Sequence, residues 1–163
     1  MSVTRNLRDG TITLRDGSAT PKTLVIPIST GDFAFDINIP AFIVMNRGKI
    51  DSRKTGDEAA IDISFSILFE QWSFGQGLST GISVADAFQG VGGAATWVST
   101  DACGPFSINI QFDMNDPCTP GKKETPLFGK FHADKLAFKE GNESNSLAIS
   151  GKALQQLPVR TYA

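Results

Sequence analysis

"IDISFSILFE", residues 61–70, alternates along its length. Ile61, Ile63, Phe65, Ile67 and Phe69 fall on one side of an extended chain, and Asp62, Ser64, Ser66, Leu68 and Glu70 on the other. Period two is the signature of a half-buried β-strand, so one side is a core face. The other is short, polar or acidic, and holds no Lys or Arg. The same rhythm recurs in "GTITLRDG" (10–17), "KTLVIPI" (22–28), "GDFAFDINIP" (31–40), "PFSINIQFDM" (105–114) and "NSLAISGKAL" (145–154). "AFIVMNRG" (41–48) is apolar on both faces, and "LFGKFHADKLAFKE" (127–140) changes phase near Ala133, as a bulge would make it do.

Asp16-Gly17 reads as a turn and Pro27 as an edge marker. One helix is expected in "SVADAFQG" (83–90), with Ser83 as N-cap, Asp86 three residues on, and Gly90 as its stop. Two stretches read as projecting loops, "NRGKIDSRKTGDEA" (46–59) and "NDPCTPGKKETP" (115–126). Seven or eight strands with one short helix predict a mainly β fold: an antiparallel β-sandwich or partly open barrel, flanked by that helix.

The chain has 163 residues, a size that suits one domain and a core without staples. A net charge of −2 argues against a tight duplex-DNA binder. The opening "MSVTRNLRDG" has no apolar stretch of the secretory kind, which predicts folding in a cytoplasm. A strand over 105–113 spans about 27–30 Å, and the five residues after it reach back at most ~17 Å. Cys103 and Cys118 therefore read as two free thiols.

Catalytic motifs are not legible. His132 is the single histidine, and "KFHADK" reads as a strand with His132 on its polar side. "DMNDP" (113–117) groups Asp113, Asn115 and Asp116 but lacks a calcium loop, and a strand passing into an Asx turn accounts for it. No catalytic residue, metal or cofactor is expected. Trp72 and Trp97 with the "DMNDP" corner leave a rival reading open, a monomeric sandwich that binds a glycan. A hydrolase using His132 is a third.

The polar sides of the three cleanest strands are Asp32, Ala34, Asp36 and Asn38; Asp62, Ser64, Ser66, Leu68 and Glu70; and Ser107, Asn109, Gln111 and Asp113. Five of these thirteen are acidic and none is basic. This is either a solvated sheet face or a smooth wall that gives a polyanion no foothold, since phosphate binding needs Lys and Arg. The basic residues gather elsewhere: Arg5 and Arg8 near the start, and Arg47, Lys49, Arg53 and Lys54 in the 46–59 stretch, which continues through Asp57 and Glu58.

"LRDGTITLRDG", "NRGKIDSRKTGDEAAIDISFSILFE", "WVSTDACGPFSINIQFDMNDPC" and "LAISGKA" together resemble, in order and spacing, the tail tube (major tail) proteins of long-tailed bacteriophages. The resemblance implies a single tail-tube domain over 1–163 and no enzymatic activity. It implies stacked, hexameric rings whose inner sheets join into a ring-wide β-barrel. Such a tube sits in the virion tail, after assembly in the host cytoplasm, beside other tail proteins, and passes phage DNA at ejection through a negatively lined channel without specific binding. The type VI secretion tube protein is similar in fold.

Placed on this chain, the lumen-facing set would be Asp32, Asp36, Asn38, Asp62, Ser64, Ser66, Glu70, Ser107, Asn109, Gln111 and Asp113. The inter-subunit set would be Arg5, Arg8, Arg47, Lys49, Arg53, Lys54, Asp57 and Glu58, carried by the 46–59 loop and by arms at 1–9 and 155–163. Out and back, that loop reaches roughly 20 Å at ~3.3 Å per residue.

Overall fold

The structure, a computed structural model, describes residues 10–27, 33–68, 81–116, 118–140, 146–155 and 158–162. The strands are β1 (Gly10–Arg15), β2 (Thr23–Pro27), β3 (Ala34–Asp36), β4 (Ala41–Asn46), β5 (Lys49–Thr55), β6 (Ile61–Leu68), β7 (Ile108–Asn115), β8 (Lys123–Lys139), β9 (Ser146–Ala153) and β10 (Val159–Tyr162), and of the alternating 31–40 stretch only Ala34–Asp36 is strand among the described residues. The helix is α1 (Val84–Gln89).

One eight-stranded antiparallel sheet runs β2-β1-β7-β8-β9-β6-β3, with β10 also paired to β8. It does not close: β2 and β3 remain at its two ends. The long strand β8 is its spine. The Lys123–Phe131 half pairs with β7 and the Phe131–Lys139 half with β9, while β10 continues along the β9 side at Glu124–Leu127. Two irregularities let one strand serve both halves. Lys130 has φ 51 where the β7 register shifts, and Asp134 is the extra residue between Ala133 and Lys135 opposite β9. The phase slip in the sequence is this second bulge.

The sheet folds over so that its two halves share a core. Ile12, Leu14, Ile110 and Phe112 come from one half, and Ile61, Ile63, Phe65, Leu147 and Ile149 from the other. Aromatic rings join them: Phe33, beside β3, stacks on Phe112 of β7 at 4.5 Å, and Phe35 lies 5.0 Å from Phe128 of β8. The helix covers the same core through Val84, Ala87 and Phe88, with the Phe88 ring 5.8 Å from Phe131.

Local chemistry sets the helix ends as expected. Ser83 Oγ accepts from the Asp86 amide at 3.1 Å, and Gly90 adopts φ 65 with its N–H on the Asp86 carbonyl. A Cβ on Gly90 would also meet the Phe106 ring at 2.5 Å. Ser83→Ala should cost about 1 kcal/mol in chemical denaturation; an unchanged midpoint would refute the cap.

Three expectations are corrected. Residues 46–59 are not an irregular loop: β5 occupies 49–55 and pairs with β4 as a separate two-stranded hairpin. Its turn uses positive φ at both Arg47 (48°) and Gly48 (78°), the signature of a type I′ turn. The 155–163 arm contains β10, a strand of the main sheet. The 115–126 loop is shorter than read, because β8 begins at Lys123. Cys103 and Cys118 are both free and exposed.

Candidate functional site

Two surfaces carry chemistry, the outer face of the main sheet and the hairpin. On the outer face, cross-strand register places Asp36 opposite Asp62, Ala34 opposite Ser64, and Ser66 opposite Ala148. Like charges at Asp36 and Asp62 would repel, but Asp62 is answered from both sides. Lys152 Nζ lies 3.0 Å from Asp62 Oδ1, and Asn38 Nδ2 donates to Oδ2 at 3.1 Å. The Lys152 contact, then Asn38, hold the Asp62 carboxyl below its ordinary value, and Asp62 in turn raises Lys152. In Lys152→Met the Asp62 carboxyl should titrate at higher pH, nearer the ordinary Asp value, when followed by carboxyl-detected NMR. An unmoved titration would contradict the pairing.

On the other half of the face, Gln111 is a relay. It accepts from Arg15 Nη1 at 3.0 Å and donates Nε2 to Asp113 Oδ1, also at 3.0 Å. Thr125 Oγ1 donates to the same Asp113 oxygen at 2.8 Å. Asn109 Oδ1 accepts from the Lys130 amide, so it braces the β8 irregularity.

Ser107 does not belong to this face. It is buried, its hydroxyl 2.8 Å from Thr100 Oγ1 and its amide donating to Ser99 Oγ. Asp32 and Glu70 lie outside the described residues, as do Arg5 and Arg8.

The absence of cations on three strands does not extend to the assembled face. Arg15, Lys135, Lys139 and Lys152 stand opposite Asn109, Ser150, Ser146 and Asp62. The surface is therefore of mixed sign, with Asp62 and Lys152 paired as acid and base and the other three cations set opposite neutral side chains. Local alternation could not show this, because the cations come from strands whose neighbours are distant in sequence.

The hairpin gathers Arg47, Lys49, Arg53 and Lys54, all exposed, and Asp57 and Glu58 follow its base, which the Gly56 amide closes on the Pro40 carbonyl at 2.9 Å. Sequence reading picked out these charges and missed the apolar side chains among them. Phe42 (53%), Ile43 (57%), Met45 (56%) and Ile50 (70%) are all exposed. The run "AFIVM", apolar on both faces, was the available signal.

The features behind the rival readings are not arranged for that chemistry. Trp97 is 6% exposed and lies in the core, so it offers no stacking platform; Trp72 lies outside the described residues. Asp116 Oδ1 accepts from the Cys118 amide, an Asx turn. Both ring nitrogens of His132 are buried and, among the described residues, have no hydrogen-bond partner, so no nucleophile there is held for activation. Among the described residues, no group of three or more His, Cys, Asp or Glu side chains is placed to hold a metal. Among the same residues, no helix is long and apolar enough to cross a membrane.

The fold is similar to that of a chain in the cryo-EM structure of an extracellular contractile injection system, the PVC sheath/tube terminator in the extended state. The TM-score is 0.62 at 10% identity, and the alignment covers 99% of this chain and 96% of the other. At that identity the likeness is one of fold. No protein-family model and no curated protein matches the sequence.

Proposed function

We propose that this chain is a structural, non-enzymatic subunit of a phage-tail-like tube, assembling with copies of itself into stacked rings. The observation that carries the reading is the end-to-end likeness of fold to a chain of a contractile injection system, 99% of one chain on 96% of the other. The resemblance in sequence order to tail tube proteins points the same way and suggests six copies per ring. The hairpin supplies a physical reason for assembly, since exposed apolar patches mark contact sites.

In this reading the outer sheet face lines the channel. Its work is electrostatic neutrality rather than repulsion. Asp62 is paired with Lys152, and Asp113 is tied through Gln111 to Arg15, so the wall presents compensated charges and short hydroxyls to passing DNA. Ser107 is left out of that lining. A secretion tube of the type VI kind would use the same surfaces.

Negative-stain microscopy of the purified chain tests the proposal. Rings or hollow tubes are the expected result. Compact single particles at every concentration, confirmed as monomers by light scattering, would overturn it.

A further inference from the structure

We infer that the β4–β5 hairpin is clasped on both of its faces at once, by two different copies of this chain, rather than laid against a single neighbour. The inference rests on the tube-subunit reading for the identity of the partners and goes beyond it in the geometry of the contact.

Register sorts the hairpin's side chains. Ile43 pairs with Arg53 and Met45 with Ile50 on one face; Phe42 pairs with Lys54 and Val44 with Ser52 on the other. A ribbon docked on one surface alternates, apolar toward its support and polar toward water. This one does not: Ile43, Met45 and Ile50 are exposed on the first face and Phe42 on the second. Nor does the main sheet extend to it, since among the described residues β4 and β5 pair only with each other. A two-stranded hairpin alone in water is marginally stable at best, and covering one side would leave the other apolar side wet. Two covers satisfy both.

Charge indicates what the covers are. Residues 41–55 hold four of the chain's 15 basic residues and one of its 17 acidic residues, a net of +3. The remainder has eleven basic against sixteen acidic residues, a net of −5. A basic arm on an acidic body is complementary to other copies of itself. The cations are also divided between the faces, Arg53 with Ile43 and Lys54 with Phe42, so each face offers the same combination of apolar contact and positive charge.

The test uses the full chain with a photoreactive benzoylphenylalanine at position 42, at 43, or at both, doped at low ratio into unlabelled protein. Positions 42 and 43 point to opposite faces, and both side chains are exposed, so folding is not at stake. Each single label should yield cross-linked dimers, and the double label should yield trimers containing one labelled and two unlabelled chains. Rings or tubes that form normally while the double label gives only dimers would overturn the clasp and leave the tube reading intact. The same holds if one of the two positions never cross-links in those assemblies. Monomers in the same micrographs, with no cross-links, would overturn both. Cross-linking to anionic phosphatidylglycerol vesicles or to duplex DNA in place of protein would also overturn the clasp, since it would identify a different cover.

Discussion

Phe112→Ala is expected to cost about 3–5 kcal/mol, the range for deleting a fully buried phenylalanine. In a protein of this size that lowers the melting temperature by about 10–15 °C. The reason is position. Phe112 is fully buried, directly opposite Ile12 of β1, and stacked on Phe33 at 4.5 Å. Phe33 approaches from the far end of the folded sheet, so the stack joins the two halves within their shared core. Truncation opens a void between them that neither half can close without moving its strands. Phe112→Leu keeps most of the volume and should cost less than about half as much. Thermal unfolding of the two variants checks this. A loss below about 1 kcal/mol for the alanine variant would mean that the halves are joined by something other than these rings.

Phe112 was legible in the sequence because "PFSINIQFDM" alternates without a break, and alternation reports which side of a strand is buried. The same logic located β1, β6, β7 and β9 and the bulge in β8, while capping residues marked both ends of α1. It failed for β5. "KIDSRKT" has no apolar alternation, because neither of its faces is buried within the chain, and Arg47-Gly48 is a less familiar turn pair than Asn-Gly. The signal that remained was a polar stretch of matching length after an apolar one. β10 was missed because four residues are too few to show a period.

The outer face was half legible. Its acidic and hydroxyl side chains lie on single strands and could be read one strand at a time. Lys152 opposite Asp62, and Arg15 reaching Gln111, depend on which strands become neighbours. That is a property of topology, which no local window contains. A face read as anionic from three strands carries cations once the others are in place.

Asp16→Ala is the second large expected effect, about 3–5 kcal/mol, from the loss of at least two hydrogen bonds to a charged acceptor at ~1.5–3 kcal/mol each. The sequence marks Asp16-Gly17 as a turn, and the turn is there, but its chemistry is long-range. Asp16 is buried. Its Oδ1 accepts from the Lys22 amide and the Ser18 hydroxyl, both at 2.7 Å, and its Oδ2 accepts from the Val98 amide at 3.2 Å. Gly17 N–H bonds the Val98 carbonyl at 2.7 Å, and a Cβ on Gly17 would meet the Ser99 carbonyl oxygen at 2.5 Å. One carboxylate thus ties the β1–β2 connection to the segment that follows the helix, 82 residues away.

Burial alone would raise the Asp16 carboxyl. The bonds from Ser18, Val98 and Lys22 outweigh it and hold the group below its ordinary 3.8. A depressed folded-state value means that the unfolded chain binds the proton more readily. The stabilisation is therefore fully present above the ordinary carboxylate value and fades as the pH falls through the lower, folded value. Asp16→Asn separates the contributions. The amide oxygen can replace Oδ1 toward Lys22 and Ser18, but its NH₂ would face the Val98 N–H, donor against donor. That variant should be intermediate in stability at neutral pH, and its stability should fall less steeply than wild type on acidification below about pH 4. Denaturant melts of the three proteins between neutral and acid pH measure both effects. Parallel acid profiles for wild type and Asp16→Asn would show that Asp16 is not the group whose protonation loosens this junction.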